Sequence, residues 1–231
     1  MGCFLTNSSL GRKLVMSITG CFLVLFILFH MSMNVVALIG NGEYYNMICA
    51  FLGANWYALV ATAVLAGGVL VHFLYAFLLT WQNRKARGNV RYAVTVTEKG
   101  VDWASKNMLV LGIIVILGLA LHLTHFWSKM QLVELLGHHE NSLGLAPTDG
   151  AALIQYTFSK WYNVVLYLVW FAALWFHLNH GVWSMFQTAG FANDTWLPRL
   201  KCVSKVVSTL IFLGFAAVAI WFYVKSVCPC C

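Results

Sequence analysis

NMLVLGIIVILGLALHLTHFW, residues 107–127, holds no Asp, Glu, Lys or Arg in 21 positions. At about 1.5 Å of rise per residue such a run, coiled as a helix, reaches about 30 Å, the thickness of a bilayer's hydrocarbon core. Lipid offers no partner for a backbone N–H or C=O, so a segment that crosses it satisfies those groups internally, and the run reads as a membrane-spanning helix. It also carries His122 and His125. An imidazole in hydrocarbon is costly unless something inside the protein uses it.

Four other uncharged runs are as long or nearly so: Leu14–Gly40, Ala54–Trp81, Trp161–Gln187 and Val206–Val224. The expected fold is therefore an all-α bundle of five transmembrane helices, one domain over residues 1–231. Composition agrees. The chain is 61% hydrophobic and only 9% charged, where a soluble domain carries about 25% charged residues. The first run is too long for the apolar region of a cleaved signal peptide.

The net charge of +7 is a topology signal before it is anything else. Eleven of the 14 basic residues fall at one end of the expected bundle: Arg12 and Lys13 before the first run, Arg84, Lys85, Arg87, Arg91, Lys99 and Lys106 between the second and third, and Arg199, Lys201 and Lys205 between the fourth and fifth. Lys129, Lys160 and Lys225 fall at the other. Basic loops stay in the cytoplasm, which places the N-terminus there and the C-terminus outside. The charge gives no reason to invoke nucleic acid, and no Gly-rich phosphate loop or nucleotide fingerprint is present. The seven cysteines are scattered. Cys228, Cys230 and Cys231 of the CPCC tail have no partner cluster at metal-binding spacing. The segment 41–53 reads as a short outer loop, and 128–160 as a longer one with room for a surface helix.

Six of the eight histidines lie in the apolar runs, at least one in each of the first four and none in the fifth. His138 and His139 sit in the polar loop and read as surface residues. Topology sorts the rest by depth. The first and third spans run outward, with His30 and His122 late in each, so both lie in the outer half. The second and fourth run inward, with His72 and His177 late in each, so both lie in the inner half. Two imidazoles on facing helices at one depth are the arrangement that ligates a haem iron from both sides. The expected pairs are His30 with His122 and His72 with His177, on levels ~15–20 Å apart by helical rise. The third and fourth spans each hold a spare histidine, His125 and His180. A side chain leans over the residue at i−4, so a flat ligand favours a small residue there. Gly118 precedes His122 and Ala173 precedes His177, whereas Leu121 precedes His125 and Phe176 precedes His180. Gly68 precedes His72, and the bulky Phe26 precedes His30. His125 and His180 read as hydrogen-bonding groups. The aromatic stripe of the fourth span reads first as packing.

SITGCFLVLFILFHMSMN at 17–34, GLALHLTHFW at 118–127 and FHLNHGVWSMFQTAGF at 176–191 resemble the cytochrome b membrane anchor of succinate dehydrogenase and fumarate reductase, in its five-helix, two-haem, single-chain form. The similarity covers essentially the whole chain. It implies two haem b groups held by His30, His72, His122 and His177, with the His72/His177 haem nearer the cytoplasm. It implies a flavoprotein subunit and an iron–sulfur subunit on the cytoplasmic face, and electron exchange with a membrane quinone, typically menaquinone, in a bacterial cytoplasmic membrane. Dicarboxylate chemistry would belong to the flavoprotein, and this chain would carry the quinone reaction of the complex, itself open to pairing as a dimer. One departure stands out. Some members carry a glutamate two residues before the ligand of the fourth helix, and here that residue is Trp175. No carboxylate lies in any run. The outer-loop Glu43, 13 residues beyond His30, is the candidate acceptor for protons released from quinol.

Two other functions stay open at this point. A dihaem cytochrome serving another dehydrogenase, such as a hydrogenase, shares the ligand logic and differs only in its soluble partner. A transporter with histidine proton relays predicts intramembrane carboxylates and broken helices, and neither is found.

Overall fold

The computed structural model describes residues 8–53, 55–88 and 103–228. Over those residues it is all-helical. In chain order the helices are α1 (Ser9–Val35), α2 (Glu43–Leu52), α3 (Trp56–Arg87), α4 (Trp103–His125), α5 (Gln131–Leu135), α6 (Gly150–Phe158), α7 (Trp161–Ser184) and α8 (Trp196–Val227). Five of them, α1, α3, α4, α7 and α8, are long and apolar enough to cross a membrane. Arg91, Lys99, Cys230 and Cys231 lie outside the described residues.

The ends of the long helices differ from the limits of the apolar runs, because a helix continues as long as its backbone ladder is satisfied. α3 runs on through Gln82 and Arg84 to Arg87, and α8 starts at Trp196 instead of Val206. The early start of α8 has local causes. Asn193 Oδ1 accepts from the N–H of Trp196 at 2.8 Å and of Thr195 at 3.2 Å. Pro198 then falls in the first turn, where a missing N–H leaves no intrahelical bond unmade. α1 starts at Ser9, with the Ser8 hydroxyl accepting from the Gly11 N–H at 2.8 Å. Hydroxyls inside the long helices bond back to their own turn, Ser32 to the Leu28 carbonyl and Thr80 to the Ala76 carbonyl, both at 2.8 Å.

The segment expected as a loop after α1 is mostly helix. The chain leaves α1 through a 3₁₀ turn at Val36–Leu38 and reverses at Gly40-Asn41-Gly42, three consecutive residues with positive φ. Gly42 is doubly required: φ is +89°, and a Cβ would stand 2.5 Å from Ala151 Cβ. α2 follows and packs on α6, which belongs to the long segment between α4 and α7. A polar clasp holds the two together. Asn46 donates from Nδ2 to Asp149 Oδ1 at 2.8 Å and accepts from the Ala151 N–H at 2.9 Å. Asp149 in turn caps α6, accepting from the Ala152 N–H at 3.1 Å. Asp149→Ala removes cap and clasp partner together, and is expected to destabilise the fold by about 1–2 kcal/mol. The loss is read as a lower thermal midpoint in detergent with helical content unchanged at low temperature.

The long helices form a ring. α3 packs on α1, α1 on α8, α8 on α7, α7 on α4, and α4 touches α3 only lightly. The α7–α8 contact is the most extensive. Tyr167, Phe171, Val218, Ala219 and Phe222 are buried between these helices and α6, and Leu174, Leu178, Val182 and Ile211 form a second cluster closer to the basic end. Ser204 of α8 is fully buried and donates to the Asn179 carbonyl of α7 at 2.5 Å. Small residues of this kind let transmembrane helices approach closely. α3 is the opposite case: among its described side chains only Ala58 is buried.

Candidate functional site

Two pairs of histidines meet inside the ring, and both pairs join helices that are not neighbours in it. His30 of α1 faces His122 of α4 with ring centroids 5.7 Å apart. His72 of α3 faces His177 of α7 at 6.5 Å. These are the partners assigned by depth. The separation of the two levels follows from what lies beside each ring. On α4, Gly112 is the residue beside His177, and a Cβ there would stand 3.9 Å from His177 Cε1. On α1, Gly20 is beside His72. Gly112 is ten residues before His122, and Gly20 ten before His30. Both helices therefore place the levels about 15 Å apart along the axis.

Each of the four imidazoles is half-buried, and their surroundings differ. At the first level the rings are enclosed by aromatics. Phe26 stacks on His30 at 5.5 Å with Phe215 at 5.9 Å, and Phe126 and Trp170 lie 5.2 and 5.8 Å from His122. Asn34 Nδ2 lies 3.4 Å from His30 Nε2 while donating to the His30 carbonyl at 2.8 Å. At the second level, Thr19 Oγ1 lies 3.0 Å from His72 Nδ1. His177 Nδ1 is buried and has no hydrogen-bond partner among the described residues.

The glycines four residues before His122 and His72 face aromatic rings. Gly118 makes room for the indole of Trp170, whose Nε1–H donates to the Val115 carbonyl at 3.0 Å. Gly68 makes room for Phe22, which a Cβ would approach to 2.9 Å. In both places an aromatic ring from the adjacent helix fills the space, so these glycines are packing positions. What separates His122 from His125 is direction. His125 turns to α7, where its Nδ1 lies 3.2 Å from the buried Tyr167 hydroxyl and its ring stacks on Tyr167. His180 lies against Trp183, with ring centroids 4.9 Å apart. His138 and His139 are exposed. Trp175 points to α8 and donates from Nε1 to the Thr209 hydroxyl at 3.0 Å.

Glu43 is exposed in the first turn of α2, where a carboxylate complements the helix dipole. Two residues on, Tyr45 is buried and its hydroxyl donates to Asn34 Oδ1 at 3.3 Å, so α2 is tied to the turn of α1 that follows His30. This connection between α2 and the His30 turn was not legible in the sequence. Burial pushes the neighbouring Cys49 thiol up to about 11, with the Tyr45 hydroxyl beside it acting in the opposite direction.

A metal site built wholly from side chains needs three or four ligands. Among the described residues no group of three or more His, Cys, Asp or Glu side chains converges in that way. Two facing imidazoles suit instead a metal whose other ligands are brought in by a macrocycle. Two imidazoles sharing one metal ion along bonds of roughly 2 Å bring their ring centroids to roughly 6 Å, and the observed 5.7 and 6.5 Å bracket that distance.

Comparison with protein-family models, with curated proteins and with solved structures finds no match to this chain.

Proposed function

We propose that this chain is the dihaem cytochrome b membrane anchor of a succinate:quinone or fumarate:quinone oxidoreductase. The observation that carries the reading is the meeting of His30 with His122 and of His72 with His177, on two levels of one helical ring. His30 and His122 would hold one haem b and His72 and His177 the other, and when bound the two groups supply one-electron carriers between a quinone and soluble redox subunits. The chain's own contribution is ligation, spacing and burial. One imidazole from each of two helices would hold each group, and Phe26, Phe126, Trp170 and Phe215 would line the first level with apolar rings.

Orientation follows from charge. Arg12, Lys13, Arg84, Lys85, Lys106, Arg199, Lys201 and Lys205 gather at the end of the bundle that carries the His72/His177 level, and the bias of basic residues to the cytoplasmic side supports a cytoplasmic N-terminus. Several of these cations lie over tryptophan faces: Lys85 over Trp81 at 5.7 Å, Arg199 over Trp196 at 5.5 Å and Lys201 over Trp183 at 5.0 Å. Tryptophan with a basic neighbour is the composition of a membrane interface. On this reading the chain lies in a bacterial cytoplasmic membrane, and its basic face receives the iron–sulfur and flavoprotein subunits. Quinone, typically menaquinone, reacts near the other level.

A pyridine haemochrome assay on the purified chain tests the proposal. The expected result is two haems b per chain, both six-coordinate and low-spin. One haem or none overturns the dihaem assignment, and a native spectrum that responds to carbon monoxide overturns ligation by two histidines. Co-purification with subunits that oxidise succinate or reduce fumarate separates this reading from a cytochrome of another dehydrogenase.

A further inference from the structure

Thr19 is on α1, one residue before the glycine that lies beside His72. Its hydroxyl has three neighbours: the Val15 carbonyl at 2.8 Å, the Met16 carbonyl at 3.2 Å and His72 Nδ1 at 3.0 Å. A hydroxyl has one hydrogen to give and lone pairs to receive others. The hydrogen goes to a carbonyl of its own helix, the usual bond of a threonine in a transmembrane helix. The contact with His72 is then made with the ring nitrogen as donor. This fixes the tautomer: Nδ1 carries the hydrogen and Nε2 keeps its lone pair. Gly20 completes the seat, since a Cβ there would stand 3.5 Å from His72 Cε1 and 4.0 Å from Nδ1. The Nδ1–Cε1 edge of the ring thus lies against α1. None of the other three imidazoles has a hydroxyl of another helix on Nδ1 among the described residues.

We propose that Thr19 is a positioning residue for His72. Its hydroxyl holds the Nδ1–H, sets the plane of the ring, and leaves Nε2 as the nitrogen available to a metal. The effect on a bound haem rests on the functional reading above. A hydrogen bond accepted from Nδ1–H makes the imidazole a stronger donor, which favours oxidised iron and lowers the potential of that level relative to one without such a bond.

The test has two arms on the full-length chain. In the first, ¹⁵N-histidine NMR of haem-free protein reads the tautomer of His72, assigned by its absence in His72→Ala. The Nδ1–H form is expected to dominate in the wild type, to fall about tenfold against the Nε2–H form in Thr19→Val, as the loss of one intramolecular hydrogen bond implies, and to be kept in Thr19→Ser. In the second, a redox titration of haem-loaded protein follows the haem that His72→Ala removes. Thr19→Val is expected to raise its ratio of reduced to oxidised form about tenfold at fixed potential, a shift of about 59 mV for one electron. Thr19→Ser is expected to restore it, and the other haem is expected not to move. An Nε2–H wild type, a tautomer ratio unchanged in Thr19→Val, or an unmoved potential overturns the role of Thr19. A wild type that binds no haem overturns the functional reading instead, and the tautomer ratio then decides Thr19 by itself.

Discussion

Alanine at His72 or His177 is expected to remove one haem of two, and alanine at His30 or His122 the other. On the proposed function the effect is expected to be all-or-none per site, because a single remaining imidazole would keep only half of the chain's hold on that group, in a ring of helices that offers no substitute at that level. The nearest alternative at the His122 level is His125, and it is engaged elsewhere, stacked on Tyr167 with Nδ1 at the tyrosine hydroxyl. His180 is three residues from His177 on α7 and lies against Trp183. His125→Ala and His180→Ala are therefore expected to retain both haems, with shifted potentials at most. Low-temperature optical spectra of the six purified variants, with helical content checked by circular dichroism, decide the matter. A haem lost in His125→Ala but kept in His122→Ala assigns the ligand to the other member of the pair.

The second large effect is expected at Glu43. Quinol oxidation releases two electrons and two protons, and the protons need an acceptor open to water. Glu43 is exposed, and α2 is tied to the His30 turn through Tyr45 and Asn34. If Glu43 is the general base, Glu43→Gln lowers quinol-linked turnover roughly 10²–10⁴-fold. Both haem spectra and the dye-linked activity of the soluble subunits are expected to stay as they were, since the substitution preserves shape and lies outside the bundle. Near-normal quinol turnover in this variant makes Glu43 an ordinary surface residue and leaves the base to be sought elsewhere.

The five long helices were legible because each is a continuous apolar run, and hydropathy needs no knowledge of partners. The histidine pairing was legible for a related reason. Rise per residue is constant, so position along a run converts to depth once the basic loops orient it. The parts that were not legible depend on contacts between distant residues. EYYNMICAFL at 43–52 is under three turns long and follows Gly-Asn-Gly, so on its own it reads as a loop. It is helical against α6, through a clasp between Asn46 and Asp149 that are 103 residues apart. Gly118 was read as room for a ligand because sequence shows a missing side chain and not what fills the gap, which here is Trp170. Thr19 gave no signal either. A threonine bonded to its own helix is commonplace in such segments, and its second partner lies 53 residues away.

The sparse packing of α3 has a consequence for assembly. α7 and α8 share a buried interface with α6, α1 joins them through α8, and α4 through α7. α3 rests mainly on α1 and reaches α7 through the His72–His177 contact. A group held between those two rings, as proposed, would also tie α3 to α7, and its binding free energy would add to the cohesion of the ring. Protein made under iron or haem limitation is then expected to show its defect first as protease cleavage at the two ends of α3, before the α7–α8 unit loosens.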